Sequence, residues 1–112
     1  MNDTMPPIYR PLMSCPTIRS NRCIVCGRAL PLEQHHLVFR SQGKLFKDGK
    51  EIPKPTITLC GYGNNMPYCH GKVHNHMLHF KWEDDALWYL ETDEPVNYLK
   101  ALNMDGWKCV EI

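Results

Sequence analysis

The chain has 112 residues and a formal net charge of +1, a size that fits one compact domain and leaves little room for a second. Hydrophobic residues make up 43% of it, enough for a modest core of the kind that often needs a staple. No apolar run approaches the length that crosses a bilayer, so no membrane association is expected.

Residues 1–20 hold several prolines and little periodicity, and are expected to form an extended arm. Cys23 to Gly27 has the form of a tight metal-binding turn. His35 to Phe39 is short, apolar and partly β-branched, which predicts a strand. Lys44 to Ile52 places Asp48-Gly49 between short alternating arms, a hairpin signal. Pro53 and Pro55 bracket a linker, and Thr56 to Leu59 is β-branched at alternate positions and predicts a further strand. Gly61 to Tyr68 reads as a loop and His70 to Leu78 as a short helix. Leu78–Trp82 and Ala86–Leu90 predict two strands around the acidic turn Glu83-Asp84-Asp85. Glu94 to Asn103 fits a short helix with Pro95 in its first turn, and Gly106 to Val110 a closing strand.

The near-neutral total averages two unlike halves. Residues 1–54 carry nine Lys/Arg against four Asp/Glu, a balance of +5, and residues 55–112 carry four against eight, a balance of −4. A one-sided cationic surface can attract phosphates even on a nearly neutral protein, although such a run is also compatible with a plain solvated face.

Met1 to Arg10 lacks the layout of a signal peptide. A reducing, cytoplasmic compartment is therefore expected, where the six cysteines bind metal rather than pair. Cys23-x-x-Cys26 forms one chelate, and Cys60 and Cys69, set more widely apart, are the expected second pair. Zinc favours four thiolates in a tetrahedron, and such a closed site is structural rather than catalytic. Cys15 and Cys109 remain as spare ligands, and burial as small hydrophobes is the bland alternative for all six.

The histidines form an ordered set. His70 and His74, four residues apart, share one face of a helix and can point at one ion. His35 and His36 are adjacent on a strand and point to opposite faces. They should therefore have different jobs, one binding metal and the other handling a proton. His76 and His79 lie outside the set and read as surface or packing residues. The rival arrangement mixes Cys and His ligands into two structural zinc sites.

These pieces together resemble the HNH (His-Me finger) endonuclease family in its zinc-clamped phage and prophage type. The resemblance is carried by Cys23-x-x-Cys26-Gly27, by Leu32-Glu33-Gln34-His35-His36 with Leu37-Val38-Phe39-Arg40-Ser41-Gln42-Gly43, by Leu59-Cys60-Gly61 and by Cys69-His70-Gly71-Lys72-Val73-His74, spanning residues 23–74. It implies an α+β fold, a small ββα-metal domain with a four-cysteine zinc staple, placed over 21–80; the residues themselves, not the resemblance, give an arm over 1–20 and a C-terminal hairpin and helix extension over 81–112. By position, His35, His70 and His74 resemble the ligands of one catalytic divalent ion (Mg²⁺, Mn²⁺, Ni²⁺ or Zn²⁺). His36 resembles the general base, and Cys23, Cys26, Cys60 and Cys69 resemble the structural zinc clamp. Arg40 is the nearby candidate for a phosphate contact. Pro55 stands where the family commonly carries the asparagine that orients the base, with Asn64 or Asn65 as conceivable substitutes.

The resemblance implies a nuclease acting on DNA in the cytoplasm of a bacterial host cell, with phage packaging proteins such as terminase as possible partners. The alternative is a non-catalytic zinc module for DNA or protein interaction on a degenerate HNH fold.

Overall fold

β1 (Leu32–His36) and β4 (Thr56–Cys60) pair antiparallel, with Leu32 opposite Cys60 and His36 opposite Thr56. The fold is given by a computed structural model that describes residues 3–111. Residues 1, 2 and 112, the outer ends of the expected arm and C-terminal extension, lie outside the described residues. Side chains alternate along a strand, so Glu33 and His35 share a face with Ile57 and Leu59, both buried. The opposite face of the pair carries Gln34 and Thr58. Thr58 hydrogen-bonds Gln34, Gln34 Nε2 donates to Thr56 Oγ1 at 3.0 Å, and the Ser20 amide donates to Thr58 Oγ1 at 3.0 Å.

The strand expected over 35–39 lies three residues earlier. Pro55, having no N–H, cannot extend the ladder. The Leu37 amide donates to the Pro55 carbonyl at 3.1 Å, and the chain then turns into a 3₁₀ segment at Arg40–Gln42. Between β1 and β4 the chain makes the expected hairpin, β2 (Phe46–Lys47) against β3 (Lys50–Glu51). Asp48 and Gly49 both have positive φ, 53° and 79°, the turn that matches strand twist.

α1 (Cys69–His74) follows β4 and is shorter than the helix expected over 70–78. Its stop is conformational: His76 takes φ 59°, its amide donates to the Val73 carbonyl, and the Met77 amide donates to the Lys72 carbonyl at 2.8 Å. This left-handed closure satisfies the last carbonyls and frees Leu78 to begin a strand. β5 (Leu78–Glu83) and β6 (Ala86–Glu91) form the expected hairpin across Asp84-Asp85, and β7 (Lys108–Cys109) adds to β6. α2 (Tyr98–Leu102) starts later than expected: Asn97 Oδ1 accepts the Lys100 amide at 2.8 Å and sets the first turn, so Pro95 precedes the helix. None of the helices over the described residues is long and apolar enough to cross a membrane.

The N-terminal stretch differs most from expectation. It contains a 3₁₀ segment at Arg10–Ser14 and contributes Met5, Leu12, Cys15 and Ile18 to the core. The Ile18 amide donates to the Thr56 carbonyl at 2.8 Å, so this segment flanks β4. The apolar residues that dock it are spaced irregularly among prolines, which hides them from a periodicity reading.

Because Leu12 is buried and Leu30 is 76% exposed, their truncations should separate. Leu12→Ala should lower unfolding free energy in urea by about 2–5 kcal/mol, and Leu30→Ala by no more than about 0.5 kcal/mol. Equal small values would mean that the N-terminal stretch does not belong to the packing.

Candidate metal centres

Cys23 and Cys26 lie on a turn closed by the Gly27 amide donating to the Cys23 carbonyl at 2.9 Å, and the Ile24 amide docks that turn on β4 through the Thr58 carbonyl at 3.2 Å. Cys60 ends β4 and Cys69 begins α1. The Cys69 amide donates to the Cys60 sulfur at 3.3 Å. The four sulfurs all lie within 4.8 Å of one another, and Cys26 and Cys60 Sγ are 3.5 Å apart. A tetrahedral ion with metal–sulfur bonds of about 2.3 Å sets its sulfurs about 3.8 Å apart, so the donor set fits one ion.

The protons confirm how crowded the group is. A hydrogen bond from Cys69 pushes the Cys23 thiol down to about 4, while the same bond and burial push Cys69 up. Burial also raises Cys60. Cys15 and Cys109, the spare candidates, stand apart from this group: Cys15 is buried and donates to the Pro16 carbonyl at 3.3 Å, its thiol pushed up to about 11 by burial, and Cys109 is exposed.

A second group assembles on the other side of α1. His35 projects from β1 and is 3% exposed. His70 and His74 project from successive turns of α1, and one ring nitrogen from each of the three lies within 4.8 Å of the others. The Nε2 atoms of His70 and His74 are 3.1 Å apart. Two nitrogens bound to one ion at about 2.0–2.1 Å stand about 2.9–3.4 Å apart, so this spacing also fits a shared ion. Burial, then the charges of His70, His74 and His36, push His35 down to about 3, and burial with the His70 charge lowers His74. Both rings therefore stay neutral near pH 7, with lone pairs free for a metal. Phe39 stacks on His74 at 5.5 Å between ring centroids, and an apolar cavity of about 180 Å³ opens beside His35.

Glu33 joins this group, and the sequence reading did not single it out. Its Oε1 accepts from His70 Nδ1 at 3.0 Å and from the Gly63 amide at 2.6 Å. The His70 bond holds its carboxyl below the ordinary carboxylate range. The signal was present: Glu33 is two residues from His35, so a strand places both on one face.

His36 and Arg40 do not join the three histidines. His36 is exposed, on the opposite face of β1 from His35, and lines a separate depression with Arg40, Lys44, Glu51 and Lys54. Lys54 Nζ donates to the Phe39 carbonyl at 2.9 Å, which pins it there. His79 is buried, with Nε2 3.0 Å from the His76 carbonyl, and His76 is exposed. Asn64 and Asn65 sit in the loop before α1, where Asn75 Nδ2 donates to the Asn64 carbonyl at 3.4 Å. In comparison with known proteins, the chain matches no family model, no curated protein and no solved structure.

Metal removal should expose the cysteine group. Cys69→Ser should lose one bound ion per chain and the cooperative unfolding transition, since a thiolate-held ion contributes on the order of 10 kcal/mol to a small fold. Cys109→Ser should keep both, as read by elemental analysis and thermal melting. Equal metal content in the two variants would remove Cys69 from the ligand set.

The neutral state of His35 also fixes a pH dependence for protein loaded with zinc at the four cysteines and with no ion at the histidines. Its folded pKa of about 3 lies below the ordinary 6.5, so the unfolded chain binds the proton first as pH falls. This contribution is complete above pH 6.5 and drains at about 1.4 kcal/mol per pH unit down to about pH 3. Urea unfolding should therefore give about 2 kcal/mol less stability at pH 5 than at pH 7, a difference that shrinks in His35→Gln. An unchanged difference in that variant would assign the slope to other groups.

Proposed function

We propose that this protein is a metal-dependent endonuclease of the HNH type that hydrolyses DNA phosphodiester bonds. One observation carries the reading: His35 from β1 and His70 and His74 from α1 converge to within 4.8 Å at their ring nitrogens. A donor on β1 and two on the helix that follows its partner strand support a ββα-metal site of the kind the sequence resembles. The four cysteines then form the structural zinc site, which has no position left for a reacting molecule.

Among the described residues the histidine site has three protein donors. A divalent ion bound there (Mg²⁺, Mn²⁺, Ni²⁺ or Zn²⁺) supplies a Lewis acid for charge building on the phosphate and on the departing 3′ oxygen. The protein's own residues do the rest. His36, one strand step of about 3.3 Å along the backbone from His35, is open to solvent and takes the proton of the attacking water. The water oxygen bonds to phosphorus as the bond to the 3′ oxygen breaks. Imidazole suits this role because it titrates near neutral pH. Arg40, Lys44 and Lys54 share the depression with His36; Lys44 is paired with Glu51 at 3.6 Å and Lys54 is bonded to the Phe39 carbonyl, so Arg40 is the cation best placed for a phosphate oxygen. Such contacts bind the backbone without reading bases.

A second reading, a non-catalytic zinc module for DNA or protein, is favoured by one observation: His36 faces away from the three-histidine group. Plasmid nicking in Mn²⁺ or Mg²⁺ separates the two. His36→Ala should lower the rate about 100- to 10,000-fold while leaving metal content unchanged. Nicking at the wild-type rate in that variant removes His36 as the base, and a wild-type protein inert with every divalent metal supports the second reading.

A further inference from the structure

The loop between Cys60 and α1 passes close to the histidine group, and one carboxylate joins the two. Glu33 Oε1 accepts from the loop's Gly63 amide at 2.6 Å and from His70 Nδ1 at 3.0 Å. A carboxylate oxygen can only accept, so the His70 proton sits on Nδ1. In the neutral ring this leaves the lone pair on Nε2, the nitrogen that lies 3.1 Å from His74 Nε2. The ring is also held from behind. A Cβ built on Gly61, which has φ 155°, would stand 2.7 Å from the His70 Cβ, so the loop backbone packs directly on this side chain. Ring, loop and strand thus meet at one carboxylate oxygen.

We propose that Glu33 is the positioning residue of the histidine site, fixing the tautomer and direction of the His70 ring and tying it to the loop that separates Cys60 from Cys69. The inference rests on the reading of His35, His70 and His74 as metal ligands. Glu33 is not itself a ligand of that ion, because it holds Nδ1 of the ring, whereas Nε2 is the nitrogen beside His74. Its negative charge makes the imidazole a better donor, and its fixed geometry removes a rotation that binding would otherwise have to freeze. Partners of this kind are worth about 10- to 100-fold in metal affinity.

The test loads the intact protein with one equivalent of Zn²⁺ to fill the thiolate site and titrates Co²⁺, followed by visible absorption. Wild type should take up a further equivalent of Co²⁺. Glu33→Ala should bind it about 10- to 100-fold more weakly. Glu33→Gln, whose amide oxygen can still accept both bonds, should fall between the two. Affinities within twofold for all three proteins would overturn the role of Glu33. If wild type itself takes up no Co²⁺ beyond the zinc-filled site, the histidine metal site fails, and with it the nuclease reading.

If Glu33→Ala does not fold, the ring nitrogens of His70 in zinc-loaded wild type decide by NMR. A proton on Nδ1 supports the assignment, and a proton on Nε2 overturns it.

Discussion

Four sulfur atoms held within 4.8 Å of one another cannot all lose their protons unless a cation sits between them, and the rest of the fold is arranged around that constraint. The conflict is visible in the thiols, with Cys23 driven toward thiolate while Cys69 and Cys60 are driven the other way. An ion resolves it by taking the place of the shared protons. The sulfurs come from three segments: the turn at Cys23–Cys26, the end of β4 and the start of α1. A helix of six residues has no independent stability in water. Here its first residue is one of the four clustered cysteines and its last turn is closed by His76 in the left-handed conformation. The directions of His70 and His74 follow from those two fixed ends, so the histidine geometry depends on the sulfur group.

Strand alternation then divides the chemistry. Glu33 and His35 fall on the face that meets α1, whereas His36 falls on the other. The connection from β1 to β4 carries the β2–β3 hairpin and returns beside His36, which is how Lys44 and Lys54 reach the same depression as Arg40. The positive half of the sequence is therefore not spread evenly: part of its charge is delivered next to an exposed imidazole. In the acidic half, Lys72 pairs with Glu91 at 2.9 Å and Lys81 with Glu83 at 3.1 Å, so two of its cations are already engaged.

Local signals were legible where the chemistry is local. Asp48-Gly49 and Asp84-Asp85 named their turns, and the Cys23-x-x-Cys26 pair and the His70/His74 spacing each named a shared direction. What could not be read was register. Pro55 ends the β1–β4 ladder and shifts β1 toward the N-terminus, an effect that appears only once the partner strand is known. Asn97 moved the start of α2 past Pro95 because a side-chain cap outweighed the proline signal. The packing of Met5 and Leu12 depends on surfaces made by distant strands, so no window of the N-terminal sequence contains it. Glu33 was legible in principle, through its spacing from His35, but only a folded loop shows that Gly63 shares its oxygen.

The two donor groups also differ in what they leave of an ion's charge. Four thiolates around a divalent ion give a centre of net charge −2, with no position free, which suits a staple and repels phosphate. Three imidazoles binding through their lone pairs would leave a divalent ion its full +2. Burial keeps His35 in its neutral form, so that ring meets an ion as a lone-pair donor rather than as a competing cation. The carboxylate of Glu33 lies beyond the His70 ring and moderates the charge only through it. An anionic ligand would thus discriminate between an ion held by the four sulfurs and one held by the three histidines. That contrast, set by the choice of sulfur against nitrogen at residues 69 and 70, follows from neighbouring positions on one turn of α1.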